Sequence, residues 1–386
     1  MVTMRVRESR IAAAVPPPAR PRPRLLVVGT GALARSVIDA VRADGDRRYE
    51  YVGACGDAPE GGLPSGIVPL LGPVETLPRI LEMHAIDTAV IALDDGEVPL
   101  PASGVLRAHL TGTRLERAAD FYERLTGKIA IEALTPRDGI FATGFPDRRL
   151  GGTFARTTSA LVAGLAIAAA SPLMAVIAIA IVLDSPGPVF FVQERIGSHG
   201  RTFRLVKFRT MRDDAEAPSE WVEDNGHRIT RLGYWLRRFR LDELPQLINI
   251  LRGEMNLVGP RPHPAANYAL LATVMRNVPE TGVEIPFYTL RTLVRPGITG
   301  WAQVRHGYAN GIVEEIEKLR YDLYYLKHRS LWLDLRILVE TFRVVFSAKS
   351  FETTASDAAV PVDGKEGPRT CYGPSNSKRS SLRSSR

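Results

Sequence analysis

Cysteine is all but missing from this 386-residue chain: Cys55 and Cys371 are the only two, and they sit in dissimilar contexts. A disulfide framework is thereby excluded, and a reducing, cytoplasmic setting is the expectation. There is no Cys-x-x-Cys and no His-Glu-x-x-His, and the seven histidines do not gather at metal-ligand spacing, so zinc is not expected. No Ser-His-Asp order and no nucleophilic-cysteine signature is visible. The first residues lack the apolar core of a signal peptide. Acidic residues are outnumbered, 42 Asp and Glu against 50 Lys and Arg, for a formal net charge of +8. That balance suits nucleic acid, an anionic membrane surface or phosphate-bearing substrates. The length suffices for two ordinary domains with a large core.

The chain divides by composition. Residues 1–23 end in the proline-rich run VPPPARPRP and read as an extended, disordered lead-in. Residues 24–120 alternate strand and helix. Leu25–Val28 is a short apolar strand, followed by Gly29-Thr30-Gly31-Ala32-Leu33-Ala34, a GxGxxA turn into a helix. Tyr51–Ala54 and Thr88–Leu93 are further strands, so a Rossmann-like parallel sheet is expected. The glycine turn is compatible with a dinucleotide phosphate, with Asp57 near the place of a ribose-binding acid; a packing or regulatory role is the plainer reading. Residues 121–147 read as a connector, and residues 352–386, ending SKRSSLRSSR, as a disordered polar tail.

One long hydrophobic run stands out. From Thr157 to Leu183 there is no charged residue, enough to cross a bilayer. Ser171-Pro172 interrupts it, and proline breaks a helical hydrogen-bond ladder. Both flanks are basic: Arg148, Arg149 and Arg156 before, then Arg195, Arg201, Arg204 and Lys207 after. Positive charge prefers the cytoplasmic side, so both ends belong on one side. A bent, re-entrant helix hairpin satisfies these conditions; a kinked spanning helix is the alternative. Farther on, Leu232, Trp235, Leu236 and Phe239 fall at helical spacing among arginines, and Leu331–Phe346 forms a second amphipathic helix with Trp332, Leu335, Leu338, Phe342 and Val345 on its apolar side. Aromatic and arginine residues on such helices suit a lipid headgroup layer, and an ordinary core-facing helix uses the same spacing.

The densest chemistry lies in RLDELPQLINILRGEMNLVGPRP, Arg240 to Pro262. Proline is tolerated in the first turn of a helix, so Pro245 predicts a helix beginning close to Asp242. The adjacent carboxylates Asp242 and Glu243 then lie at a helix N-terminus, able to act as a nucleophile or to hold a divalent metal. Adjacent residues diverge around a helix, so the two need not share one role. An Asp N-cap with a Glu in the first turn is the plainer account. Upstream, FRLVKFRTMRDD reads as a strand ending in a turn. Arginine and lysine beside acids and next to a membrane segment suit phosphoryl transfer, in which positioning and charge neutralisation dominate. A carboxylate can attack phosphorus, and Mg²⁺ prefers oxygen ligands shared with phosphates.

The segments KFRTM (Lys207–Met211), LDELPQL, GPRP (Gly259–Pro262), LVRPGITGWAQVR (Leu293–Arg305) and KLRYDLYYLKHRSLWLDL (Lys318–Leu335), in this order, resemble the bacterial sugar transferases, the monotopic polyprenyl-phosphate phosphoglycosyl transferases of exopolysaccharide and O-antigen assembly. The resemblance covers roughly Arg148 to Phe351. It implies transfer of a sugar-1-phosphate from a UDP-sugar to polyprenyl (undecaprenyl) phosphate, with release of UMP, through a covalent phosphosugar-enzyme. It further implies Asp242 as the nucleophile, Glu243 beside it at a Mg²⁺, and Lys207 and Asp322 as further catalytic positions. Arg209, Arg237, Arg261, Arg291 and Arg295 then match phosphate- or nucleotide-binding positions. Arg237 also reads as an interfacial charge, Arg261 as a turn residue and Asp322 as a surface ion pair. The segment RHGYANGIVEE after GWAQV departs from the family pattern, so its contacts do not carry over. The long members carry a transmembrane bundle ahead of a Rossmann-like domain, and no such bundle precedes it in this sequence.

The fold expected is therefore α/β: an N-terminal Rossmann-like parallel-sheet domain, then a mainly helical, membrane-inserted catalytic domain over 148–351 with a re-entrant helix hairpin. The implied setting is the bacterial inner membrane with the catalytic domain facing the cytoplasm. The implied partners are a UDP-sugar, polyprenyl phosphate, the lipid bilayer and a second copy of the chain as a homodimer, with no nucleic acid. Two other classes fit parts of the sequence. An NAD-dependent nucleotide-sugar enzyme would use the Rossmann-like half, although the Tyr-x-x-x-Lys acid–base pair is absent. A non-catalytic membrane scaffold would not need an intact Asp-Glu pair.

Overall fold

Leu25, Leu26, Val27 and Val28 are all fully buried, because a strand in a parallel sheet is covered on both faces. The computed structural model describes residues 22–45, 48–57, 69–93, 100–131, 148–212, 228–274, 286–306 and 311–346, with backbone alone at 148–154, 286–287 and 346. Most of the lead-in and the whole tail lie outside these residues, as do 132–147 of the connector.

The N-terminal half is built from β1 (Arg24–Val28), α1 (Ala32–Ala43), β2 (Glu50–Cys55), α2 (Leu77–His84), β3 (Thr88–Ile91), α3 (Ala102–Thr111), β4 (Arg114–Arg117) and α4 (Ala118–Thr126). All strand pairs are parallel, in the order β2-β1-β3-β4. Alternation along β1 sorts its side chains. Leu25 and Val27 pack with residues of α1 and α4, whereas Leu26 and Val28 pack with residues of α2 and α3. Gly29 has φ +125°, and a Cβ there would sit 2.1 Å from Ala92 O, so packing against the end of β3 already requires the first glycine of the GxGxxA turn. Its helix starts at Gly31 without a side-chain cap.

After α4 the chain changes cores. Ile129 and Ile131 pack with Leu271, Tyr288, Ile316, Leu319 and Leu323 of the C-terminal half. Trp301 Nε1 donates to Gly127 O (2.9 Å), Lys128 pairs with Glu317 (2.6 Å), and buried Glu123 accepts from Lys327 (2.7 Å) and lies 2.8 Å from His328 Nε2. The first half is thus docked onto the helix that carries Asp322.

The C-terminal half comprises α5 (Arg148–Asp184), the antiparallel pair β5 (Phe190–Ile196) and β6 (Thr202–Phe208), α6 (Arg231–Arg238), α7 (Gln246–Leu251), β7 (Asn256–Val258), α8 (Ala265–Val274), β8 (Gly297–Thr299), α9 (Trp301–Arg305), α10 (Ile312–His328) and α11 (Leu331–Phe346). Among the described residues α5 alone is long and apolar enough to cross a membrane, over Ala155–Asp184. Two stretches of it touch the body. Ala163 joins Leu205, Leu247, Ile250 and Met255, while Ile177 and Ile181 join Phe208 and Leu236. Leu161, Leu165, Leu173, Val176, Ile179 and Leu183 remain exposed, an apolar surface that suits lipid.

A hairpin turn is not shown: α5 is continuous through Pro172. The hydrogen bonding explains how. Proline has no N–H to give Ala168 O, and Ser171 Oγ donates to that carbonyl instead, at 2.9 Å.

Candidate active site

The Asp-Glu pair owes its position to one unusual residue. Arg240 adopts the left-handed conformation (φ 52°, ψ 25°), which costs a non-glycine residue on the order of 1–2 kcal/mol. It ends the α6 segment and turns the chain into a 3-10 turn, Leu241–Glu243. The helix expected at Asp242 begins four residues later, at Gln246, with Pro245 as its cap. The carboxylates therefore precede the helix, and side-chain cations rather than a helix terminus set their charge.

Those cations come from three elements. Arg261 Nη2 donates to Glu243 Oε1 at 3.0 Å; Lys207 Nζ, from the end of β6, lies 3.7 Å from the same oxygen; Arg240 Nη1 lies 3.7 Å from Oε2. Arg237 acts electrostatically on Asp242. Arg261 is placed by a backbone crossing. Gly259 N donates to Thr299 O (2.9 Å) and Gly297 N to Pro260 O (3.0 Å), and a Cβ on Gly297 would come within 2.1 Å of Gly259 N. The GPRP and PGITG segments are thus interlocked, and both glycines are required by the close approach.

Asp242 and Glu243 are 8% and 6% exposed. Burial raises Asp242 to about 6, with the neighbouring Glu243 charge adding to it against Lys207, Arg237 and Arg261. Burial also acts to raise Glu243, but Arg261, Lys207 and Arg240 outweigh it and hold that carboxyl below the usual range. Burial, with Arg261 beside it, lowers Lys207 to about 8. At neutral pH the pair is thus ionised, with Glu243 tied to cations and Asp242 the carboxylate poised closer to its protonation point.

The donor set also fits a divalent cation. Glu243 Oε2 is buried without a hydrogen bond, and Asp242 offers a second carboxylate. Mg²⁺ takes one or two carboxylates and completes its shell with water and phosphate oxygens. Among the described residues no group of three or more His, Cys, Asp or Glu gathers at one point.

Asp322 lies in an adjoining network. Arg291 Nη2 donates to Asp322 Oδ2 (2.7 Å) and to Arg261 O (3.2 Å), and Nη1 lies 3.0 Å from both Tyr288 OH and His263 Nδ1. His263, in contact with Tyr288 OH, is 3.5 Å from Glu315, which also meets Lys318 at 3.4 Å. Burial, then the nearby Arg291, holds His263 well below its ordinary value, so it is neutral. A small cleft, open to solvent, is lined by Gly197, Arg261, His263, Tyr268, Arg291 and Pro296 among others.

The expected residues thus fall into distinct places. Asp242, Glu243, Lys207, Arg237 and Arg261 converge; Arg291 and Asp322 join them through the Arg261 carbonyl. Arg209 turns elsewhere, onto Ser185 O (2.6 Å) and Pro186 O at the end of α5, over Gly187, whose φ is +123°. Arg295 has Arg156 and Arg329 as its charged neighbours. Arg240, His263, Tyr288, Glu315 and Lys318 were not anticipated. Of these, Glu315 and Lys318 had a signal: with Asp322 they fall at i, i+3 and i+7 on one helix face.

Comparison of the sequence with known proteins points to one family. The bacterial sugar transferase family matches residues 151–348, and the chain belongs to it. The chain is 40% identical over 226 residues, 58% of its length and 50% of the relative's, to the UDP-N-acetylgalactosamine-undecaprenyl-phosphate N-acetylgalactosaminephosphotransferase of Aeromonas hydrophila. It is 43% identical over 199 residues, 49% of its own length and 38% of the relative's, to the UDP-glucose:undecaprenyl-phosphate glucose-1-phosphate transferase of Xanthomonas campestris pv. campestris. A protein of the latter name from Caulobacter vibrioides is 41% identical over 191 residues, 48% of this chain and 67% of that one. The matched segment is thus half or less of the first two relatives.

Proposed function

We propose that this protein transfers a sugar-1-phosphate from a UDP-sugar to polyprenyl (undecaprenyl) phosphate, releasing UMP, as the first step of exopolysaccharide or O-antigen synthesis. The carrying observation is a buried carboxylate, Asp242, beside a second carboxylate that three cations hold ionised. Family membership and the names of the relatives support the substrate classes. An Asp242 oxygen attacks the β-phosphorus of the UDP-sugar, and the bond from that phosphorus to the bridging oxygen breaks, releasing UMP. A phosphate oxygen of polyprenyl phosphate then attacks the phosphorus held on Asp242. The Asp–phosphorus bond breaks, the sugar diphosphate lipid forms and the carboxylate is restored. Lys207 and Arg261 neutralise charge that develops on the phosphoryl oxygens. Mg²⁺ bound at Asp242 and Glu243 would supply further charge neutralisation. The reading is tested by UMP release from a panel of UDP-sugars with polyprenyl phosphate and Mg²⁺; no release with any sugar refutes it.

The directions in which burial and neighbouring charge move Asp242 and Lys207 lead to an expected pH profile. Asp242 attacks only when ionised and Lys207 neutralises only when protonated, so activity rises as pH passes about 6 and falls as it passes about 8. A bell-shaped kcat/KM with limbs near those values is expected. An alkaline limb that survives Lys207→Met would show that Lys207 is not its source.

We place the catalytic half on the cytoplasmic face of the inner membrane, with α5 bent at Pro172 in the bilayer as a re-entrant hairpin. The basic flanks and the two packed stretches on one body favour this, with the mostly exposed stretch Ala168–Leu173 as the deepest part. Single cysteines placed at Arg149 and at Glu194, in a Cys55→Ser/Cys371→Ser background, should label from the same side of sealed vesicles. Labelling from opposite sides would establish a spanning helix. Pro172→Ala is expected to favour that straight form and to lower activity.

A further inference from the structure

The coil from Leu241 to Leu251 sorts its residues by face. Leu241, Leu244, Leu247 and Ile250 pack with apolar residues of α5 and β6. Asp242, Glu243, Gln246 and Asn249 fall at i, i+1, i+4 and i+7, and all four are buried, Gln246 at 3% exposure. Leu244 and Pro245, which join the 3-10 turn to α7, both have right-handed helical backbone. Across that join Leu247 N donates to Leu244 O (3.1 Å) and Ile248 N to Pro245 O (3.0 Å). Gln246 therefore stands one turn beyond Glu243 on the same side, with about 5–6 Å between their Cβ atoms.

A buried polar stripe is costly unless each group finds a partner. Glu243 at one end has Arg261, Lys207 and Arg240. Asn249 at the other end is bonded through both atoms of its amide. Its Nδ2 donates to Arg204 O of β6 and to Glu254 Oε2, each at 2.7 Å, and its Oδ1 accepts from Val206 N at 3.2 Å. Gln246, between them, has no such partner: its carboxamide makes no hydrogen bond with a described residue, and its Nε2 is enclosed.

Asn249 ties α7 to β6, and that tie accounts for its burial. Gln246 ties nothing, although it lies between that tie and the point where Lys207, the residue after Val206, reaches Glu243. A carboxamide presents two N–H donors and no charge. Beside two carboxylates it can serve an anionic oxygen without disturbing the balance that Arg261, Lys207 and Arg240 set. Phosphoryl transfer places charge on nonbridging oxygens, and a donor already fixed in a water-poor site stabilises that charge without reorganising.

We propose that Gln246 is a further catalytic residue: its Nε2 donates to a nonbridging oxygen of the phosphoryl group that Asp242 accepts and passes on. The assignment rests on the transfer reaction proposed above. The buried donor gains its acceptor when the UDP-sugar is bound, and the hydrogen bond strengthens as charge moves onto the phosphoryl oxygens. Removal of the amide should therefore slow the reaction without weakening the fold, the opposite of what loss of the Asn249 amide would do.

Gln246→Met keeps the length of the side chain and removes the donor. The test uses the full chain in a neutral detergent with polyprenyl phosphate, Mg²⁺ and the UDP-sugar that the parent turns over fastest. For Gln246→Met, kcat for UMP release should fall about 10²-fold or more while KM stays within about threefold. Its Tm should be unchanged or higher, because an unpaired buried donor is gone. Gln246→Glu puts an acceptor where the donor was and should be at least as slow. Asn249→Leu is the control for a structural carboxamide and should lower Tm. A Gln246→Met chain that keeps kcat within about threefold of the parent overturns the assignment. So does one whose Tm falls as far as that of Asn249→Leu, since the amide would then hold the fold. Near-normal turnover by Gln246→Glu also overturns it, because the side chain would be acting through its oxygen. No UMP release by the parent with any UDP-sugar sinks the transfer reading itself; an active parent with an equally active Gln246→Met sinks the donor alone.

Discussion

Asp242→Asn is expected to reduce UMP release at least about 10³-fold, the scale seen when a nucleophile is removed from a catalytic group that acts as a unit. The amide keeps the shape of the carboxylate and removes the charge proposed to attack phosphorus. The variant should not unfold. Burial raises Asp242 toward 6, so the folded state holds this group less comfortably as an anion than the unfolded chain does. That contribution opposes folding at neutral pH and is relieved as pH falls through the folded-state value. A neutral Asn removes the burden, and thermal stability should be unchanged or slightly higher. Incubation with a UDP-sugar alone should add the mass of a phosphosugar to the parent protein and none to the variant. Near-normal turnover by Asp242→Asn would show that the covalent route through this residue is wrong.

Much of the architecture was legible because burial leaves a period in the sequence. α11 occupies Leu331–Phe346, the range read from its apolar repeat, and β1 follows from an apolar run too short for a helix. The turn that carries the Asp242–Glu243 pair was not legible in the same way. Pro245 marked a helix start correctly to within a few residues. Nothing in Arg-Leu-Asp-Glu, however, announces the left-handed arginine that breaks the chain away from the preceding helix, or the separate 3-10 turn that carries the pair ahead of Gln246. The expected role of the helix terminus therefore passes to Arg261, Lys207 and Arg240.

The membrane segment shows a second kind of limit. Ser171-Pro172 was read as a break because proline removes a hydrogen bond, yet the serine hydroxyl restores a donor to Ala168 O and the helix continues. Long-range placement was the least visible. Arg209, Arg291 and Arg295 look alike as motif arginines, but their surroundings differ. Arg209 meets the carbonyls at the end of α5, Arg291 meets Asp322, and Arg295 meets two other arginines. Contacts between residues far apart in the chain decide among these: the end of α5 for Arg209 and the crossing at Gly259 and Gly297 for the segments that carry Arg291 and Arg295.

Asp322→Leu is expected to destabilise the C-terminal half by about 3–5 kcal/mol, because it strands a buried guanidinium. The Arg291–Asp322 contact is 2.7 Å, with both side chains almost fully enclosed. Once Asp322 is gone, the hydrogen-bond partners left to Arg291 among the described residues are all neutral, Tyr288 OH, His263 and the Arg261 carbonyl, and Glu315 is the carboxylate that still acts on it, without a hydrogen bond. A fall in Tm on the order of 10 °C should follow for a unit of this size. Arg291→Met added to Asp322→Leu should restore most of it. Burial raises Asp322 to about 6 in spite of Arg291, so the pair carries a large desolvation penalty that an apolar pair avoids. Activity should not return with stability. Arg291 also holds the Arg261 carbonyl, and Arg261 holds Glu243, so the doubly substituted protein should be folded yet slow in UMP release. If the double variant regains both its Tm and its turnover, the network serves stability alone. If Asp322→Leu leaves Tm unchanged, the ion pair does not hold this core together.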